Sequence, residues 1–188
     1  MEKALKKIVI CMLILSVFGG ATEVSAASIS SVKKLYKASY EHDKKQLVAE
    51  YPNDYPMGMD SFSYAYAKLQ GKKYPYFLKK ECYNYSICGI SVYYYNKGTV
   101  SFVKSFSGQE VYYYKKYLFV ENFAGGGCGT ATMYKLKNGS FKKIKGGSKA
   151  IALSDQDQVH KASIKFAKKT AKRLGLKFKK FKKVKWKA

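Results

Sequence analysis

The chain reads as an α+β protein, an antiparallel β-meander sheet of two repeated hairpin units flanked by an N-terminal and a C-terminal helix. Three observations lead there. Short aromatic or β-branched runs, separated by glycine, asparagine or lysine-glycine turns, fill the middle of the sequence. Apolar residues at helical spacing stand on either side of it, and one stretch of the middle repeats another at a fixed distance.

The first helix is expected over residues 30–51, where Val32, Leu35, Tyr36, Leu47, Val48 and Tyr51 recur at roughly helical spacing and a serine is available to cap the start. Its apolar stripe is expected to pack on a sheet. The segment YPNDYPMGMD then breaks the helix with two prolines, a glycine and Asx residues.

The β-meander is expected over residues 60–145. All 18 tyrosines lie from Tyr36 to Tyr134, and SFSYAYAKL, YPYFLKK, ICGISVYYYN, TVSFVKSF, VYYYKKYLFVE, TATMYKL and SFKKI each have strand composition. Residues 91–103 (SVYYYNKGTVSFV) align without a gap on residues 132–144 (TMYKLKNGSFKKI), 41 residues further on. The same shift sets Tyr76, Phe77 and Leu78 on Tyr117, Leu118 and Phe119, and Gly98 on Gly139, where glycine supplies the positive φ of a tight hairpin. Two such units are too few to close a propeller; they can form one continuous twisted sheet with the terminal helices over a face.

Beyond Gly146-Gly147 the pattern changes. Val159, Ala162, Phe166, Ala167, Thr170, Ala171 and Leu174 define a second helix over residues 158–174, with Gly175 as its C-cap. Over residues 176–186, Leu176 and Phe178, then Val184 and Trp186, alternate as a basic strand or tail.

The N-terminus has the three parts of a secretory signal peptide: basic MEKALKK, the uncharged run IVICMLILSVF, and small residues up to Ala26. Residues 1–26 are expected to be removed, leaving residues 27–188 as a single secreted domain; the competing reading is an uncleaved membrane anchor, which the short apolar run disfavours. Cys11 lies inside the apolar run, without the small residues before it that lipidation needs. Removal takes three lysines and two glutamates from 36 basic and 12 acidic residues, which leaves a net charge of +23. A field of that sign draws polyanions, and residues 161–188 hold thirteen Lys or Arg and no acid.

Arg173 is the one arginine of the chain. Lysine is a hydrated point charge without the planar fork that reads guanine or grips phosphate bidentately, so binding is expected to be diffuse and salt-sensitive, with no sequence-specific nucleic acid. Two other accounts of the lysines stay open: they protect an edge strand from pairing with other chains, or their excess reflects base composition and surface solvation.

Cys82, Cys88 and Cys128 remain after removal of the signal, which in an oxidising compartment suggests one disulfide and one free thiol. Cys82–Cys88 closing a hairpin around YNYSI is preferred; Cys88–Cys128 is the rival.

The stretch AYAKLQGKKYPYFLKK, together with both repeated hairpins and YKKYLFVENFAGGGCGT, resembles the calcium-loop β repeats of the FG-GAP and VCBS type in small secreted proteins of Gram-positive gut bacteria. The resemblance covers about residues 60–145, and its motifs are loose. It implies an aromatic strand, an acidic calcium loop and a second strand; here the acidic positions are Lys68, Gln70 and Lys72, and Tyr76 replaces a glutamate. Calcium needs several hard oxygen ligands, so no metal is expected at this turn. Two arrangements remain open: a lysine ammonium bonds the turn carbonyls in place of an ion, or Gly71 alone permits the turn and both lysines face water.

No enzyme signature is complete. His42 lies in the charged run EHDKK and His160 beside a lysine, and both read as surface side chains; no carboxylate pair stands out, and closely spaced zinc ligands are missing. GGGCGT lacks the following helix and lysine of a phosphate cradle and reads as a loop. NYS at Asn84 and NGS at Asn138 match the glycosylation pattern, which matters only in a eukaryotic host.

The expected function is therefore a non-catalytic binding module, secreted or associated with the cell surface, with no cofactor. Its partner is expected to be an anionic cell-wall polymer or polysaccharide, or an anionic membrane surface. The expected contacts are Lys177, Lys179, Lys180, Lys182, Lys183, Lys185 and Lys187, with Trp186 as an aromatic anchor. Two other classes are a cationic membrane-active protein using the second helix, and an inhibitor or adhesin that binds a protein through the tyrosine-rich sheet.

Overall fold

The computed structural model describes residues 27–50, 59–83 and 87–188. The expected signal segment, residues 51–58 of the expected break and the NYS motif lie outside the described residues; the last two residues of that break, Met59 and Asp60, already belong to the first strand. The elements are α1 (Ile29–Glu50), β1 (Met59–Ala67), β2 (Tyr76–Tyr83), β3 (Ile87–Asn96), β4 (Thr99–Ser107), β5 (Glu110–Tyr114), β6 (Tyr117–Gly125), β7 (Cys128–Lys137), β8 (Ser140–Ala152), α2 (Gln156–Arg173), a 3-10 turn (Phe178–Lys180) and β9 (Lys182–Lys183).

The α+β class holds, with two flanking helices, but the strands form two antiparallel sheets instead of one. The first runs β1-β2-β3-β4 and the second β8-β7-β6-β5-β9. The chain changes sheet within two residues. Gly108 N–H donates to Cys88 O in the first sheet at 2.9 Å, and Gln109 N–H donates to Glu121 O in the second, also at 2.9 Å. A Cβ on Gly108 would stand 2.5 Å from Val120 Cγ1, so only glycine lets the sheets meet this closely.

The layers follow from strand alternation, because successive side chains point to opposite faces. Tyr76, Leu78, Ile90, Val92, Leu118, Val120 and Phe141 form the cluster between the sheets. Their neighbours Phe77 and Tyr95 face outward against Val32, Tyr36 and Tyr40 of α1. Tyr117, Phe119 and Met133 face outward against Val159, Ala167 and Ala171 of α2. The order is thus helix, sheet, sheet, helix. A sheet covered on both faces needs apolar residues at nearly every position, which explains strands such as YLFVENF.

The 41-residue spacing persists in strand positions: β2, β3 and β4 start at Tyr76, Ile87 and Thr99, and β6, β7 and β8 at Tyr117, Cys128 and Ser140. The equivalent turns Lys97-Gly98 (φ +46 and +87°) and Asn138-Gly139 (φ +51 and +77°) both have two left-handed residues, as a two-residue hairpin requires. GGGCGT is a hairpin of the same kind, with Gly125 opposite Cys128 across β6 and β7.

Both helices are capped. Ser28 Oγ accepts from Ser31 N–H at 3.0 Å, and Asp155 accepts from Gln158 N–H at 2.8 Å. Gly175 closes α2 as expected, with its N–H on Lys172 O and Leu176 N–H on Ala171 O.

Two expectations near the C-terminus are corrected. β8 does not stop at Gly146-Gly147 but continues to Ala152, because the glycines lie in a bulge where the register jumps between Lys143↔Tyr134 and Ser148↔Thr132. Of the expected basic strand or tail over residues 176–186, the strand is confined to Lys182 and Lys183, which pair opposite Tyr113 and Tyr112. The apolar residues of this segment go to different layers, Phe178 and Phe181 to the outer face of the second sheet and Val184 to the core between the sheets. Val184 N–H then bonds Val111 O at 2.8 Å, and Lys187 exchanges two backbone bonds with Tyr64 of β1. The last residues are a strap that joins an edge of one sheet to an edge of the other.

Cys82 and Cys88, opposite each other on β2 and β3, form a disulfide, and Cys128 is free and exposed. A disulfide is consistent with an extracellular protein. No helix among the described residues is long and apolar enough to cross a membrane.

Candidate functional site

All seven tail lysines are exposed, but the strap distributes them. Lys177, Lys179 and Lys180 accompany the aromatic turn, Lys182 and Lys183 lie on the β5 edge, and Lys187 lies beside β1. Lys183 is paired with Glu110 Oε1 at 3.1 Å. Trp186 is half-buried against the core between the sheets, with the Lys80 ammonium 4.6 Å from its ring centre, so it helps to close the fold. Burial pushes the Lys80 pKa down, with Glu110 opposing.

The remaining basic residues of residues 161–188 lie on α2, and every one is exposed. Among the described residues, Lys183 is the only one of the thirteen in an ion pair. Between α2 and β8 runs a groove of about 990 Å³ lined by Lys149, Lys165, Lys169, Lys172 and Arg173, with Ala162 and Phe166 as apolar lining. No acid lines it. Arg173 donates to Lys145 O and Gly146 O at 2.9 and 3.0 Å, tying the end of α2 to β8. In the sequence the basic residues of α2 stand out only by their number. The bulge that carries β8 on to Lys149, which forms the opposite wall, was hidden by Gly146-Gly147.

At the turn joining β1 to β2, Lys68 Nζ donates to Lys73 O, so an ammonium does bond a carbonyl of this turn. Lys72 lies over the Tyr94 ring at 5.2 Å from its centre, and Gly71 has φ +77°. The turn is also held from outside, since Gln70 N–H donates to Lys115 O on the β5–β6 hairpin at 3.0 Å. Lysines, tyrosine and backbone thus hold the turn without an acidic ligand set. Among the described residues no cluster of three His, Cys, Asp or Glu is placed to hold a metal.

Two charged contacts tie the helices to the sheets. Glu121 is fully buried on β6, and both its oxygens lie 3.0 Å from His160 Nδ1 on α2. Burial raises the Glu121 pKa and His160 opposes that rise. The two are 39 residues apart, and ENF in an aromatic strand gives no sign that its glutamate points inward. Lys79 of β2 bonds Asp43 of α1 at 3.0 Å and Glu81 at 2.9 Å. Burial acts to lower the Lys79 pKa, but Tyr93, Glu81 and Asp43 outweigh it and hold it above the ordinary lysine range. His42 is exposed on α1, as expected.

The faces named for the other two functions are largely covered. Val159, Ser163, Ala167, Thr170 and Ala171 of α2 are buried against the second sheet. Tyr36, Tyr40, Tyr64, Tyr74, Tyr76, Tyr95 and Tyr117 are buried in the core, and the others among the described residues whose burial is defined are half-buried.

Fold and surface together define a two-sheet α+β protein with a strongly cationic face. The chain matches no family model, no curated protein and no solved structure.

Proposed function

We propose that the chain is a non-catalytic binding module, secreted or associated with the cell surface, that holds anionic surface polymers through diffuse lysine electrostatics. One observation carries this: thirteen exposed basic residues from Lys161 to Lys187, with a single ion pair among them in the described residues. Cations left unneutralised repel one another, and a polyanion relieves that repulsion while releasing its own counterions. Burial of the α2 apolar face favours this reading over membrane insertion. The tyrosines whose burial is defined are buried or half-buried, none of them being fully exposed, which favours it over a tyrosine-built protein interface. Full burial of Glu121 behind His160 favours a structural role for that pair over a catalytic one.

The test is retention on beads carrying an anionic wall polymer against beads carrying a neutral polysaccharide, over a salt gradient. Deleting residues 176–188 is unsuitable, because it also removes the strap between the sheets. Lysine-to-glutamine changes at exposed positions are used instead. Retention on the anionic beads alone, lost as salt rises, is expected. Equal retention on both, or retention indifferent to salt, overturns the proposal.

A further inference from the structure

We infer that the groove between β8 and α2 is the seat of a single linear polyphosphodiester with small uncharged linkers, which names the ligand and the place within the polyanion reading and rests on it. The groove has cations on both walls. Lys165, Lys169 and Lys172 follow one flank of α2, and Lys149 projects from β8, whose other side is paired with β7. Residues four apart on a helix rise about 6 Å along its axis, so Lys165 and Lys169 offer charges about 6 Å apart in a line. A flexible chain bearing one anion at that repeat can satisfy them in succession.

Part of this charge has a structural explanation. Lys172 and Arg173 stand in the last turn of α2, where the helix dipole favours cations, and Arg173 also holds β8 through two carbonyls. Lys149, Lys165 and Lys169 have neither role. Among the described residues they have no ion pair, and they face a groove without an acid. Ammonium point charges suit singly charged phosphodiesters, which need no bidentate fork. Ala162 and Phe166 offer apolar contact to the uncharged linkers between the anions. A nucleic acid strand would gain most from several stacking platforms, and this groove has one aromatic residue.

The tail differs on each point. Its lysines are dispersed, Lys177, Lys179 and Lys180 at the 3-10 turn, Lys182 and Lys183 on the β5 edge and Lys187 beside β1, and Lys183 is already paired with Glu110. The groove, and not the tail first singled out in the sequence, therefore holds the polymer.

The experiment measures binding of a glycerol-phosphate polymer of defined length to the full secreted chain at several salt concentrations. Three proteins are compared: wild type, the triple variant Lys149→Gln/Lys165→Gln/Lys169→Gln, and the triple variant Lys177→Gln/Lys179→Gln/Lys180→Gln. All six positions are exposed, so both variants are expected to melt as wild type does. The groove variant should bind about tenfold more weakly or worse, and its slope of log K against log salt should be shallower by about 2, the value for three lost contacts. The tail variant should bind within about threefold of wild type. Equal losses in the two variants, or a greater loss in the tail variant, overturn the groove assignment and leave the polyanion reading standing. Absence of binding by wild type overturns both. Tighter binding of a single-stranded oligonucleotide of equal charge overturns the choice of polymer.

Discussion

Replacing Tyr36 by phenylalanine removes one oxygen from the contact that docks α1 on the first sheet. Tyr36 is fully buried and stacks on Phe77 with ring centres 5.1 Å apart. Its hydroxyl accepts from Tyr95 N–H at 2.6 Å and donates to Pro75 O at 3.2 Å. Tyr95 lies beyond the last β2–β3 pair at this end, Phe77↔Tyr93, so no residue of β2 stands opposite it. Loss of the hydroxyl leaves a buried donor and a buried acceptor without it, each worth roughly 1–3 kcal/mol, and the phenyl ring keeps the stacking. A net loss of about 2–3 kcal/mol is expected in urea unfolding at neutral pH.

The same residue makes a second, independent prediction. Burial pushes the Tyr36 pKa up from 10.0 to about 12, with the Tyr95 N–H opposing. The folded chain thus holds this proton more tightly than the unfolded chain does. Its contribution is complete below pH 10 and falls as pH rises to 12, by about 2–3 kcal/mol for a shift of about two units. The phenylalanine variant lacks this fall, so its deficit against wild type should shrink across that window. A variant as stable as wild type at neutral pH, or a deficit that does not change between pH 10 and 12, would refute this role for the hydroxyl.

Replacing both Cys82 and Cys88 by alanine should cost about 2 kcal/mol, the loop-closure value for so short a ring, and mass spectrometry of the wild-type chain after alkylation without reductant should label Cys128 and leave Cys82 and Cys88 unlabelled. His160→Ala leaves the Glu121 carboxylate buried without its imidazole. The cost should be about 2 kcal/mol in thermal unfolding, below that of a fully buried pair because His160 is 44% exposed. Glu121 binds its proton more tightly in the folded chain, facing His160 and Glu110, so its contribution falls as pH rises from the ordinary carboxylate range through the raised pKa; Glu121→Gln should flatten that part of the stability profile. Val184→Ala, which leaves the strap's backbone bonds in place, should cost about 2 kcal/mol, whereas ending the chain before Val184 uncovers edge groups of β1 and β5 and should produce dimers by size-exclusion chromatography.

Local chemistry made much of the fold legible. Apolar residues at helical spacing located both helices to within about two residues. Two left-handed residues in Lys97-Gly98 and Asn138-Gly139 are what those turn sequences encode. Opposite cysteines at the ends of β2 and β3 form the bond that the hairpin reading preferred. The division into two sheets was not legible, because Gly108-Gln109 looks like any other meander turn. What it does depends on Cys88 and Glu121, each more than ten residues away. The alternation of Leu176, Phe178, Val184 and Trp186 misled because those side chains anchor a segment crossing from one layer to the next. At the candidate site the lysines were visible as a count. Their arrangement was not, since Lys149 meets Lys165 and Lys169 only through the bulge that prolongs β8.

The most direct test of polyanion binding is the slope of log K against log salt for the wild-type chain on an anionic wall polymer. Several exposed lysines acting together predict a steep negative slope, about −0.7 for each lysine engaged. A slope near zero would contradict it.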